Sequence, residues 1–588
     1  MTDAQRDKVL AGLKTPPPNS GGGFDVKPSH LYYTSNRVWD EQFNYNGGAK
    51  KLVSSLSGKE QLAGRGHGAD AFADAYKEVA LRFLEVWSKS VVSVGGVSVG
   101  LTATANSYTA ADWFTNQKQY GPPPRQHPPA VIDKDPDYGT VADLKWKGTN
   151  ADSNYAIIRG IGPFPDFIAD CFEEVIDKSL RLGKLYEITP GAHATEGELR
   201  EIAEYWKQAS VAALKSGENF TGIIQYITSG SKPEWQSAMN SFCQSIWGTT
   251  AWGKNRNGQD WKTSSSTAPS DRSPILTVLS KTALAMEQAC HDLVDAATAV
   301  TDVSEAAGIT AGKAMVQDMI DDFTSPSWDD LLKITPLGSV EVAAKAVLSF
   351  RSHMDYDGVN RAVETYHEAC HGIATTLTGL LPPLNEAFLS APTLKAEAAR
   401  AEGFGSRSLN EFKHEQKWAN PEDTKNGIYR IDLASNEELN GGHTIDKHVG
   451  KTDAQLAQRL RDQGGPPTAG WPLGRPSIGA SSSFVDISSA QRLTQYNIDQ
   501  NSAAIKSWLD GPPPPEEGKS MDFRSTAPNN EDSGRSVTKQ ANPLNGSGFK
   551  NDGLNVQSSP VKNINTRLKY DSRLNPPFVV LTSMPSVL

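Results

Sequence analysis

The spacing of apolar residues changes near Asp432, and this change constrains the chain more than any other feature of its sequence. Up to about residue 402 apolar side chains recur every three or four positions, and near the C terminus they alternate. Phe72, Tyr76, Val79, Phe83 and Trp87 fall on one helical face. Ile564, Thr566, Leu568 and Tyr570 alternate with Asn565, Arg567 and Lys569, which is strand spacing with a basic outer face. Phe578 to Thr582 reads as a buried strand, and simple alternation puts Phe578, Val580, Thr582 and Met584 on one side. The expected fold is multidomain: an α-helical N-terminal two-thirds followed by an α+β C-terminal domain.

Proline and glycine divide the chain further. Residues 1–30 are expected to be disordered, and 31–120 to form a helical hairpin turning at Gly64–Gly68. Residues 121–163 read as a linker, because Pro122-Pro123-Pro124, Pro128-Pro129 and Pro136 cannot continue helix or sheet. A second helical domain over 164–402 is read from Ile202, Tyr205 and Trp206, then Ile275, Val278, Leu279 and Met286, then Val342, Ala343, Val347 and Leu348. Trp235, Trp247 and Trp252 are expected in its core. Residues 403–431 form a second linker and 432–588 the last domain. There, Thr452-Asp453-Ala454-Gln455 reads as a capping box, and Ile487 to Leu509 as a helix. No apolar run of about 18 residues exists, so stable membrane insertion is not expected. The N terminus shows no apolar core of a cleavable signal peptide, so export would use another signal.

The net charge of −10 argues against nucleic-acid binding by the chain as a whole. From Arg535 onward, however, seven Lys and Arg face only Asp552 and Asp571. Cys171, Cys243, Cys290 and Cys370 all precede the last domain, which must therefore fold without disulfides and could work in a reducing cytoplasm.

Two motifs carry candidate chemistry. Gly441-Gly442-His443-Thr444-Ile445-Asp446-Lys447-His448-Val449-Gly450 places two histidines just before a helix, with Arg459 about two turns into it. A neutral-pH acid/base beside a fixed cation suits reactions at phosphate or carbonyl. His367-Glu368-Ala369-Cys370-His371 is a His-Glu-x-x-His string, the arrangement of a zinc metalloprotease, with Glu386 or His414 as candidate third ligand. Its surroundings are amphipathic helices without strands, which favours a packing role. Asp355-Tyr356-Asp357-Gly358 lacks the later ligands of a calcium loop and reads as a turn.

The segment from Asp432 to Leu588 resembles the ribonuclease A-like domain of bacterial polymorphic and contact-dependent inhibition toxins. The resemblance is carried by Gly442 to Gly450, Arg459-Leu460, Ser483-Phe484, Gly534-Arg535 and Leu581-Thr582-Ser583. It implies a ribonuclease A fold without disulfides, no cofactor or metal, an RNA substrate and a cognate immunity protein. It also implies a catalytic set of His448, Arg459 and Thr582. The family's fourth residue, a Tyr or His, falls on Met584, which carries no transferable proton, and His443 is the candidate second acid/base. A secreted toxin acting in a target cell's cytoplasm is the function implied. A non-enzymatic secreted protein with a degenerate toxin domain is the alternative that Met584 raises. The N-terminal hairpin resembles the Trp-X-Gly proteins of type VII secretion, whose Tyr-x-x-x-Asp/Glu signal matches Tyr108 and Asp112, with Gly64–Gly68 in place of the literal Trp-x-Gly turn. That resemblance implies the type VII machinery, or a small helical-hairpin protein, as partner.

Overall fold

A computed structural model describes residues 3–13, 27–115, 121–144, 194–227, 255–256, 259–260, 274–322, 340–410, 425, 427–437, 439–541 and 548–587. The readings of Trp235, Trp247, Trp252, Cys171, Cys243 and His414 fall outside these residues.

The first part is helical: α1 (Asp3–Gly12), α2 (Pro28–Leu56), α3 (His67–Thr115), α4 (Ala194–Gln225), α5 (Ile275–Asp322), α6 (Val340–His353), α7 (Tyr356–Thr378), α8 (Leu381–Ser390) and α9 (Leu394–Asn410). A two-residue hairpin of β1 (Asn255–Arg256) and β2 (Gln259–Asp260) lies among them. Phe72, Tyr76, Val79, Phe83 and Trp87 are fully buried, as their helical spacing requires. One apolar cluster runs from Leu31 to Ala401, so the hairpin and the later helices share a core. Trp87 stacks on Tyr45 at 4.8 Å, and Trp206 Nε1 donates to the Tyr76 hydroxyl at 2.9 Å. Leu348 departs from its reading: it is exposed, and Ala346 and Phe350 face the core instead. Among the described residues, no helix is long and apolar enough to cross a membrane.

Two segments read as unstructured are held by side chains. Within the N-terminal stretch, Arg6 on α1 donates from Nε to Asp40 at 2.6 Å, which anchors the helix on α2. Residues 121–144 run along α2 and α3 as an extended strap. Prolines remove backbone donors there, and the helices satisfy the carbonyls that remain. Trp39 Nε1 donates to Ala130 O (3.1 Å), Gln42 Nε2 to Ile132 O (2.8 Å) and Ser88 Oγ to Pro136 O (2.8 Å). The second linker also starts later than read, because α9 continues to Asn410.

The C-terminal part is α+β. It contains α10 (Leu433–Asn436), α11 (Thr444–His448), α12 (Asp453–Asp462), β3 (Ala480–Ser483), α13 (Ile487–Gln500), α14 (Ser502–Leu509), β4 (Ser520–Thr526), β5 (Gly534–Thr538), α15 (Phe549–Asp552), β6 (Ser559–Val561), β7 (Asn563–Tyr570) and β8 (Phe578–Ser586). Two antiparallel sheets form, ordered β3-β5-β6 and β4-β7-β8. The Thr452 capping box is present: its hydroxyl accepts from Gln455 N and its amide donates to Gln455 Oε1. The helix read over 487–509 breaks at Asn501 into α13 and α14.

β8 corrects the alternation read from sequence. Arg567 pairs with Thr582 and Leu568 with Val580, which leaves Leu581 as an extra residue, a β-bulge. Parity therefore switches across Leu581. Phe578 and Val580 join Leu568 in the core under α13, whereas Thr582 and Met584 lie on the opposite face with Arg567 and Asn565. The basic face is also less free than its composition suggests, since Arg567 forms a bidentate pair with Asp522 and Arg573 pairs with Asp571.

The α+β part is docked on α8 and α9 through polar contacts. Buried Arg400 on α9 donates from Nε to Asp446 on α11 at 2.7 Å and also pairs with fully buried Glu397. Arg461 pairs with Glu386 at 3.2 Å, and Gln455 Nε2 donates to Ala391 O at 2.9 Å. Removing one member of such a buried set leaves the others uncompensated. Arg400→Ala should therefore cost about 3–5 kcal/mol in denaturant unfolding, and Arg400→Lys distinctly less.

Candidate active site

The segment bearing His448 is fixed at both ends. At its start, Glu437 places one carboxylate oxygen on Ile445 N (2.8 Å) and the other on Asp446 N (2.9 Å), capping a helix of only five residues. His443 N donates to Leu581 O at 3.0 Å, and Ser583 N donates to the Thr444 hydroxyl at 2.8 Å. These two bonds straddle Thr582 and pin β8 to α11. At its end, Phe484 N donates to His448 O (2.8 Å) and Gly450 N to Phe484 O (3.0 Å). Thr393, which caps α9 by accepting from Ala396 N, donates its hydroxyl to Gly450 O at 2.8 Å. Gly450 has φ +68°, and a Cβ there would stand 2.8 Å from Ala396 N, so both torsion and space demand glycine.

His448 is 3% exposed. Its Nδ1 lies 2.9 Å from Ser482 O, and a carbonyl only accepts, so Nδ1 carries the hydrogen and Nε2 keeps its lone pair. Arg459 Nη1 lies 3.4 Å from that Nε2 and from Lys447 O, both long contacts. Burial, and then the Arg459 charge, push the imidazole well below the usual histidine range. His443 Nδ1 sits 2.7 Å from Gly441 O, and burial with the Lys447 charge pushes this ring down to about 4. Burial also lowers Arg459 to about 10 and Lys451 to about 8. Burial and Arg459 lower Lys447 as well. Cations thus crowd around two neutral imidazoles, a setting that favours an incoming anion.

His448, Arg459 and His443 are brought together: the Arg459 charge lowers both imidazoles, and His443 adds to the lowering of His448. Thr582 lies on β8 between the residues bonded to His443 and Thr444; it is 7% exposed, and its hydroxyl has no partner among the described residues. Tyr108 is buried within α3 rather than following it; Asp112 lies one turn on, its side chain outside the described residues. The His-Glu-x-x-His pair is used for packing. His367 stacks on His67 with centroids 4.0 Å apart and accepts from Gly68 N, while His371 Nε2 meets His67 Nδ1 at 2.9 Å. Glu386, the candidate third ligand, is engaged by Gln458 and Arg461. No group of three His, Cys, Asp or Glu among the described residues is arranged to hold a metal. Glu437, Ser482 and Thr393 escaped the sequence reading, since none lies in a motif; Ser482 and Thr393 act through contacts distant in sequence, and Glu437 caps a helix eight residues on.

Residues 442–585 match the family model described as the bacterial CdiA-CT RNAse A domain. A solved chain from the CdiA-CT/CdiI complex of Y. kristensenii is 26% identical, with 25% of this chain and 99% of that chain covered, at a TM-score of 0.18. No curated protein matches the chain.

The two imidazoles give the fold a pH signature. Both have folded values below the unfolded value of about 6.5, so the folded state holds fewer protons in that window. The stability they contribute is complete above pH 6.5 and drains away as pH falls towards 4. Thermal melts should show a falling Tm between pH 6.5 and 4, with a shallower slope in His443→Gln.

Proposed function

We propose that the C-terminal domain is a toxin ribonuclease that cleaves RNA by metal-independent transphosphorylation. The observation that carries this reading is the neutral His448, its Nε2 lone pair facing Arg459 within the segment that matches the CdiA-CT RNAse A model. In this reading His448 Nε2 removes the ribose 2′-OH proton, and the oxygen attacks phosphorus in line. Arg459 donates to the non-bridging oxygens, where charge develops. Thr582 positions the phosphate through its unpartnered hydroxyl.

His443 is the proposed second proton carrier, since Met584 has nothing to transfer. With a value near 4, His443 is seldom protonated at neutral pH and rarely holds a proton for the leaving group, so departure of the 5′-oxygen becomes the slow step. A phosphodiester with an aryl leaving group should therefore be cleaved disproportionately fast. Met584, on the same face as Thr582, also favours a second reading in which the domain is degenerate. That reading holds if the wild-type protein does not cleave RNA and a Met584→Tyr variant does.

The helical two-thirds would serve delivery, with the hairpin as export module and Tyr108 and Asp112 as its signal to a type VII machinery or a small hairpin partner. The toxin would then act in a target cell's cytoplasm and require a cognate immunity protein in its producer. His448→Ala should lower RNA cleavage by about 10²–10⁴-fold, and EDTA should leave the wild-type rate unchanged. Undiminished cleavage by His448→Ala refutes the assignment.

A further inference from the structure

Two buried polar atoms on one face of the β4-β7-β8 sheet lack partners among the described residues: the Thr582 hydroxyl and Asn565 Oδ1. Both residues are 7% exposed. Asn565 sits opposite Met584 and Thr582 opposite Arg567, so the bulge at Leu581 places Asn565 diagonally across from Thr582 on the face turned away from α13. On the other face Thr566 Oγ1 is 2.9 Å from Ser583 Oγ and accepts from Asn497 Nδ2 at 2.8 Å, while the Ser525 hydroxyl of β4 also lacks a partner among the described residues. A buried acceptor without a donor destabilises the free protein, and beside the strand that carries Thr582 a ligand that donates to it would complete it.

We propose that Asn565 is a specificity-determining residue that hydrogen-bonds the nucleobase next to the scissile phosphate. The inference rests on the ribonuclease reading of the same site. An amide oxygen does not accept from a phosphate, which offers only acceptors at neutral pH, whereas the Watson–Crick edge of every nucleobase presents donor and acceptor side by side. Asn565 offers the matching pair in its own amide. Thr582, one diagonal step away, sets the phosphate against which that base is registered. Met584, opposite Asn565, provides an apolar wall in the position where the matched family has a proton carrier.

The test exploits the missing partner. Asn565→Leu is close in size and removes an amide that costs stability in the free protein, so Tm should hold or rise. Cleavage is then measured with the full-length chain on four oligonucleotides differing only in the base 5′ to the scissile bond. The expected result is a fall of about ten-fold in kcat/KM on the preferred substrate, with the four rates converging. Asn565→Ser should converge likewise, which guards against a packing defect particular to leucine. Equal losses on all four substrates would place the contact on the sugar-phosphate backbone and overturn the proposal, as would unchanged rates or a lowered Tm with preference intact. His448→Ala run in parallel separates the two levels: if it remains active the ribonuclease reading fails, and if it is inactive while Asn565→Leu keeps the wild-type preference only this inference fails.

Discussion

The buried Arg400 guanidinium holds the molecule together where its two architectures meet. It lies between Glu397 on its own helix and Asp446 on α11, and Lys451 adds a second buried cation nearby. Charges of this kind are tolerated only in close pairs, so the geometry of α9 dictates that of α11. Because α11 carries His448, a helix outside the matched family segment fixes the orientation of the candidate base. Thr393 acts from the same helix on Gly450, so the His448 segment is clamped on both flanks.

Periodicity made the architecture legible. The 3.6-residue spacing located the hairpin, and the period of two located β7 and β8, because burial on one face demands those spacings wherever the element sits. What periodicity cannot carry is a change of parity. Leu581 inserts one residue into β8, and every assignment N-terminal to it moves to the other face, which is why Phe578 and Val580 are core residues. The strap over 121–144 was opaque for a related reason. Its prolines report that some backbone donors are missing, but not that Trp39, Gln42 and Ser88 stand ready to donate to the strap's carbonyls.

The candidate site was legible in its ionisable members and opaque in its supports. His448, Arg459 and His443 announce themselves as residue types with little reason to gather in a loop and short helix. Their surroundings use ordinary groups, such as the carbonyl of Ser482 and the carboxylate of Glu437, whose roles exist only after folding. Asn565 was visible as a member of the outer face of β7. That it lacks a partner there follows only from the packing around it.

The separation of the apolar clusters has a consequence for cooperativity. The helical core and the core beneath the β4-β7-β8 sheet are distinct, and α9 contributes only Ala399 to the latter. Across the junction the contacts are hydrogen bonds and ion pairs, which water can replace far more cheaply than it can cover exposed hydrocarbon. The two regions therefore store their stability in separate accounts of buried surface. An opening along this seam would therefore expose little hydrocarbon on either side.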